Sequence, residues 1–188
     1  MSKPVTKKQV KQMLRSQGEL KWQDITISGT ATSVAQYTQA ISSAITVGAA
    51  RNQRVGNRIK IKKIKYLLQV QPGDNINVYR MLIIAARGIS PPAGPIASLT
   101  GPVLEDQYRV LMDKCDAVRY VPVDGNSAAT VGKYHTYQGD LSVNLTQQYG
   151  ASTGAAMQND LLFQFHSDSA AVPNPGVYGY LRVYFEDD

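Results

Sequence analysis

The sequence predicts an all-β protein, one antiparallel sandwich of about eight strands, and three observations predict it. Segments with period-2 apolar alternation recur along the chain. Loops rich in Gly, Pro, Ser, Ala and Asn separate them. Beyond the N-terminal segment no stretch carries helical periodicity, so the helices that a parallel sheet needs between its strands are missing.

At 188 residues and 20.5 kDa the chain can bury a sizeable core, and one sandwich uses nearly all of it. A basic arm over residues 1–19 followed by one β domain over residues 20–188 is the expected organisation. In the arm, Thr6 and Gln9 have capping-box spacing, Val10, Met13 and Leu14 follow at helical spacing, and Gly18 stands where a helix would stop. A short helix over about Thr6–Gln17 is expected, with Lys7, Lys8, Lys11 and Arg15 on one face beside that apolar stripe. So short a helix is marginal alone in water and needs a partner or bound anions.

The strands follow in order: Leu20–Ile27, Arg58–Gln71, Ile76–Ala86, Gln107–Met112, Val118–Val123, Gly139–Leu145, Asp160–His166 and Gly176–Glu186. The last is clearest, because Val177, Gly179, Leu181, Val183 and Phe185 alternate with Tyr178, Tyr180, Arg182, Tyr184 and Glu186. In Arg58–Gln71 the apolar phase switches from Ile59 and Ile61 to Ile64, Tyr66, Leu68 and Val70, with Lys62 and Lys63 at the break. That predicts a bulge or a change of buried face, and either way Lys60, Lys62, Lys63 and Lys65 must reach solvent or an anion. The Gly88–Pro102 loop, with Pro91, Pro92 and Pro95, is long for a hairpin and is expected to cross between sheets.

The net charge of +6 is unevenly placed. Residues 1–65 carry 13 Lys/Arg against two acids, and residues 66–188 carry seven against twelve, giving +11 and −5. Such asymmetry predicts a polyanionic partner for the N-terminal third, nucleic acid before an anionic membrane surface. The candidate binding residues are Lys3, Lys7, Lys8, Lys11 and Arg15 in the arm and Lys60, Lys62, Lys63 and Lys65 in the strand. Lysine without interleaved aromatics suits phosphate contact without base readout, so binding should be salt-sensitive and sequence-tolerant.

Other chemistry has little support. The longest apolar runs, such as Met81–Ala86, are far too short to span a bilayer, and no secretory signal precedes the arm, so the protein is expected to be made and used inside a cell. The sequon at Asn144 is then read as chance. The single Cys115 cannot form an internal disulfide and is read as a buried or indifferent thiol. His135 and His166 fit no metal-binding spacing and are read as surface or interface residues. Gly150–Gly154 lacks the Gly-Lys-Ser/Thr of a phosphate loop. Glu105, Asp106, Asp113 and Asp116 are expected to be solvated or paired between subunits. No catalytic residue, and hence no enzyme activity, is expected.

Asn52 to Ile61 with the strand through Val70, and the block Gln107 to Lys114 ending on an acid, resemble coat proteins of the satellite tobacco necrosis virus type, similar to those of several small circular single-stranded DNA viruses. The lysine-bearing helix and the acidic end after a Tyr-rich strand, Tyr184 to Asp188, are similar too. The resemblance implies an eight-stranded jelly roll, an icosahedral shell of identical subunits, and a basic arm projecting onto a single-stranded RNA or DNA genome. It also implies a virion location after assembly in the host cell and no enzyme activity. Calcium at subunit contacts comes with the family, with Asp187 and Asp188 as the clustered carboxylates on offer, although no ligand is assigned.

The rival reading is a non-viral single-stranded nucleic-acid-binding β domain, which needs aromatic and basic residues interleaved on one sheet face. Tyr178, Tyr180 and Tyr184 form a stripe, but only Arg182 accompanies them in sequence, so an interface role is expected for them. A lectin-like or cupin-like jelly roll would want a His/Glu cluster or a sugar-stacking Trp, and the sole Trp22 lies beside the arm.

Overall fold

The computed structural model describes residues 19–73, 76–88, 99–122, 130–132, 134–150, 156–170 and 172–188. The arm helix and its cations Lys3 to Arg15 lie outside the described residues, as does most of Gly150–Gly154. The strands are β1 (Lys21–Thr30), β2 (Tyr37–Ala40), β3 (Arg58–Gln71), β4 (Ile76–Ala86), β5 (Tyr108–Pro122), β6 (Thr130–Gly132), β7 (His135–Tyr149), β8 (Ala156–Gln158), β9 (Leu161–Ser167) and β10 (Gly176–Asp187), with a 3-10 turn at Ser42–Ala44.

They form two five-stranded sheets, ordered β1-β10-β3-β7-β8 and β2-β9-β4-β5-β6, with the named strands pairing antiparallel. Without the three-residue edge strands β6 and β8, the remaining eight are laid down in the order of two Greek keys, which is the winding of a jelly roll. The expected number of main strands is therefore met, though not with the expected members. The Gln107–Met112 and Val118–Val123 candidates are one continuous strand, β5, and the unforeseen β2 makes up the number. The polar run Asp113 to Ala117 interrupts the apolar pattern of β5 because all five residues are exposed.

Alternation places the core. Ile25 and Ile27 of β1, Leu181, Val183 and Phe185 of β10, and Ile59, Ile61, Ile64, Leu68 and Val70 of β3 face Tyr79, Met81 and Ile83 of β4 and Leu161, Phe163 and Phe165 of β9. Burying each such side chain contributes about 1.5–3 kcal/mol. Both faces of β9 are buried. The outer side of the second sheet carries its own cluster, Leu82, Ile84, Ala86, Tyr108 and Leu162, with Val103 packed on it.

The pairing of β4 with β5 corrects the expectation for Gly88–Pro102, since the strands that it joins are neighbours in one sheet; residues 89–98 themselves lie outside the described residues. Arg80 Nη1 donates to the carbonyls of Leu99 (3.3 Å) and Gly101 (2.6 Å), holding the returning chain on the outer face of the sheet.

Candidate nucleic-acid interface

The lysines of β3 owe their placement to the predicted bulge. Ile61 pairs with Leu145 and Phe185, whereas Lys63 pairs with Ser142 and Tyr184, so Lys62 has no register partner on either side. The extra residue exchanges the two faces of the strand. Ile59 and Ile61 point inward before it, and Ile64, Leu68 and Val70 after it, all fully buried. On β7 the irregularity is taken up beside Asn144, whose φ of 48° is a left-handed conformation that asparagine tolerates.

Residues directly opposite each other on paired strands share a face. Trp22, Tyr184, Lys63 and Ser142 thus form one row across the outer side of the first sheet. Asp24, Arg182, Lys65 and Asp140 form the next, Thr26, Tyr180 and Leu67 a third, and Ser28, Tyr178 and Gln69 a fourth. Lys60 lies opposite Glu186 at the end where β1 begins, so the arm joins the sheet at its lysine-rich end.

The face is cationic but partly compensated. Lys62 pairs with Glu186 (2.7 Å), Lys63 with Asp140 (2.6 Å) and Arg58 with Asp188 (2.8 Å). Arg182 grips Asp24 through Nε and Nη2 at 2.6 and 2.7 Å, a fork that holds the Asp24 carboxyl below its ordinary pKa. Lys60 and Lys65 have no ion pair among the described residues. Exposed pairs of this kind are worth about 0–1 kcal/mol, so a phosphate can take a carboxylate's place at little cost.

Aromatic rings stand among these cations. The Arg51 guanidinium lies 4.6 Å from the Trp22 ring centroid, and Lys65 Nζ lies 6.0 Å from that of Tyr184. Tyr178 and Tyr180 are exposed, at 37% and 43%. The expectation that the tyrosine stripe has only Arg182 for company is thereby corrected, because β3 brings its lysines alongside β10. No local signal in the sequence carries that adjacency.

The remaining candidates lie elsewhere. Asp187 accepts from Lys21 (2.7 Å) and from the Val55 N–H (3.0 Å), so it and Asp188 both already face cations of this chain. Among the described residues no group of three or more His, Cys, Asp or Glu could hold a metal. Asp113, expected to be solvated or paired between subunits, forms a two-bond pair with Arg80 at 2.9 and 2.7 Å. Asp116 accepts from Tyr137 (2.8 Å), whose hydroxyl meets that of Tyr79 (2.6 Å), which in turn lies 3.0 Å from His135 Nδ1. This chain of bonds closes the flank between β5 and β7, and the Tyr137 bond lowers the Asp116 pKa. His166 is no surface residue, with 6% exposed, and burial lowers its pKa. Cys115 is exposed rather than buried. Among the described residues no helix is long and apolar enough to cross a membrane.

No family model and nothing among the curated proteins matches the chain. Among solved structures, one from Desmodium yellow mottle tymovirus is similar over 98% of this chain and 92% of its own, with 11% identity and a TM-score of 0.35. The fold assignment rests on the strand order above and not on that likeness.

Proposed function

We propose that this chain is the coat protein of a small virus of the satellite tobacco necrosis virus type, with a structural role and no reaction of its own. Copies of it assemble into an icosahedral shell, and the basic N-terminal arm, together with Lys60, Lys62, Lys63 and Lys65, packages a single-stranded genome.

The observation that carries the reading is the jelly-roll winding, since this double-sheet design is the one viral shells share with lectins and cupins. Lectin or cupin chemistry has no His/Glu cluster to build on among the described residues. Three further features support the shell. The arm, whose sequence carries Lys3, Lys7, Lys8, Lys11 and Arg15, leads into β1 at the end of the sheet that holds the β3 lysines. Among the described residues the strands β1 and β2 lie at sheet edges, where packing between copies would cover the open backbone. Phosphate contact through lysine is sequence-tolerant, as packaging requires.

Electron microscopy of the protein expressed alone, and with Met1–Gln17 deleted, tests the reading, with absorbance and nuclease digestion to detect enclosed nucleic acid. Uniform spherical shells that lose their cargo on deletion are expected. A monomer that forms no particle at any salt concentration overturns it.

One observation favours a second reading, a single-stranded nucleic-acid-binding β domain outside any virus. The interleaving of Trp22, Tyr180 and Tyr184 with Lys63, Lys65 and Arg182 on one face is what such a domain needs. Particle formation separates the two.

A further inference from the structure

We propose that the outer face of the β1-β10-β3-β7 sheet is a stacking platform for unpaired bases, with Trp22, Tyr180 and Tyr184 taking the rings while Lys60, Lys63 and Lys65 meet the phosphates. The inference rests on the nucleic-acid reading above and deepens it. It adds to phosphate attraction a contact that distinguishes single strands from duplexes.

Geometry is the first argument. Along β10 the outward residues Tyr178, Tyr180, Arg182 and Tyr184 recur every second position, about 6.8 Å apart at the usual rise of a strand. Arg182, in the row between Tyr180 and Tyr184, offers a planar guanidinium on which a base also stacks. One strand away, about 4.8 Å in the pairing direction, Lys63 and Lys65 flank Tyr184 and Arg182. Tyr184 therefore has Lys63 directly to one side, and Tyr180, opposite Leu67, has Lys65 on the diagonal, an arrangement that suits the offset between base and phosphate in a nucleotide. Trp22 extends the platform onto β1 in the Tyr184 row.

Exposure is the second argument. Tyr178 and Tyr180 belong to neither hydrophobic cluster, so the fold does not account for rings in those positions. Charge selects the occupant. Arg58, Lys60, Lys62, Lys63, Lys65 and Arg182 outnumber Asp24, Asp140, Glu186 and Asp188 on or bordering this face. A second copy of the same face would bring lysine against lysine, and interface centres are depleted of lysine. A duplex hides its base faces, so the rings favour a single strand.

Trp22 is the chain's only tryptophan, so its fluorescence in the full chain reports on the face directly. Titration with a short oligothymidylate should quench it, and a hairpin duplex with the same number of phosphates should quench it far less. Tyr184→Leu and, separately, Tyr180→Leu should each weaken oligothymidylate binding about tenfold, as the loss of one stacked base does, with the salt dependence unchanged. Lys63→Gln with Lys65→Gln should instead lower the slope of log affinity against log salt by about 1.4. Equal binding of duplex and single strand, or tyrosine variants that bind like the parent, overturns the platform while leaving nucleic-acid binding intact. A face on which the tyrosine variants abolish self-association and spare oligothymidylate affinity belongs to a second copy, which also overturns it. Failure to bind either oligonucleotide takes the underlying reading down with it.

Discussion

Lys65 holds its ammonium 6.0 Å from the centre of the Tyr184 ring, although β3 and β10 are far apart in the sequence. The contact exists because Arg182 and Tyr184 face Lys65 and Lys63 across the β10–β3 ladder, which makes one surface of two stripes that the sequence keeps apart. The fold and the face each make predictions that are independent of the assembly.

The bulge at Lys62 separates two halves of β3 with opposite phase. Deleting Lys62 forces either Ile59 and Ile61 or Ile64 and Leu68 toward solvent, at a cost of about 3–6 kcal/mol, comparable to the whole stability of a domain. The deletion variant should fail to fold. Lys62→Ala removes only the Glu186 ion pair and should stay within about 1 kcal/mol of the parent in urea unfolding.

Gly179 sits in β10 at φ +144°, and a Cβ there would run into the carbonyl oxygen of Leu67 on β3. Gly179→Ala should cost upward of about 2 kcal/mol and loosen the ladder beneath the tyrosines. Gly56→Ala meets nothing nearer than the Arg58 backbone at 3.9 Å and should leave the thermal midpoint nearly unchanged.

Two ion pairs of similar length should differ in worth because their surroundings differ. The Arg80 side chain is 11% exposed, so Asp113→Asn leaves a largely buried charge short of its partner and should cost about 1–3 kcal/mol. Asp140→Asn breaks the exposed pair with Lys63 and should cost less than about 1 kcal/mol. Chemical denaturation of the two variants side by side measures the contrast.

His166 supplies a pH dependence. Burial, aided by the Arg80 charge, lowers its folded pKa below the ordinary 6.5, so the unfolded chain binds the proton more tightly. Its contribution is fully present above about pH 6.5 and is lost as pH falls through the lower folded value. Stability should therefore drop between pH 7 and pH 5, and His166→Leu should flatten that part of the curve in unfolding measurements.

Local pattern alone determined a good deal about this protein. Alternation in Gly176–Asp187 and Arg58–Gln71 announced those strands nearly to the residue, and the switch at Lys62 announced a bulge or a change of buried face, because a half-buried strand records its buried face at every second position. Tyr37–Ala40 escaped notice because four residues carry too little period to read, and Asp113 to Ala117 obscured β5 because exposed positions need not be apolar. What only the tertiary structure decided is which strands are neighbours. Pairing joins residues far apart in sequence through backbone hydrogen bonds that any side chains permit, so no local period encodes it. β10 lies between β1 and β3, and for that reason alone Trp22, Tyr184 and Lys63 share one row.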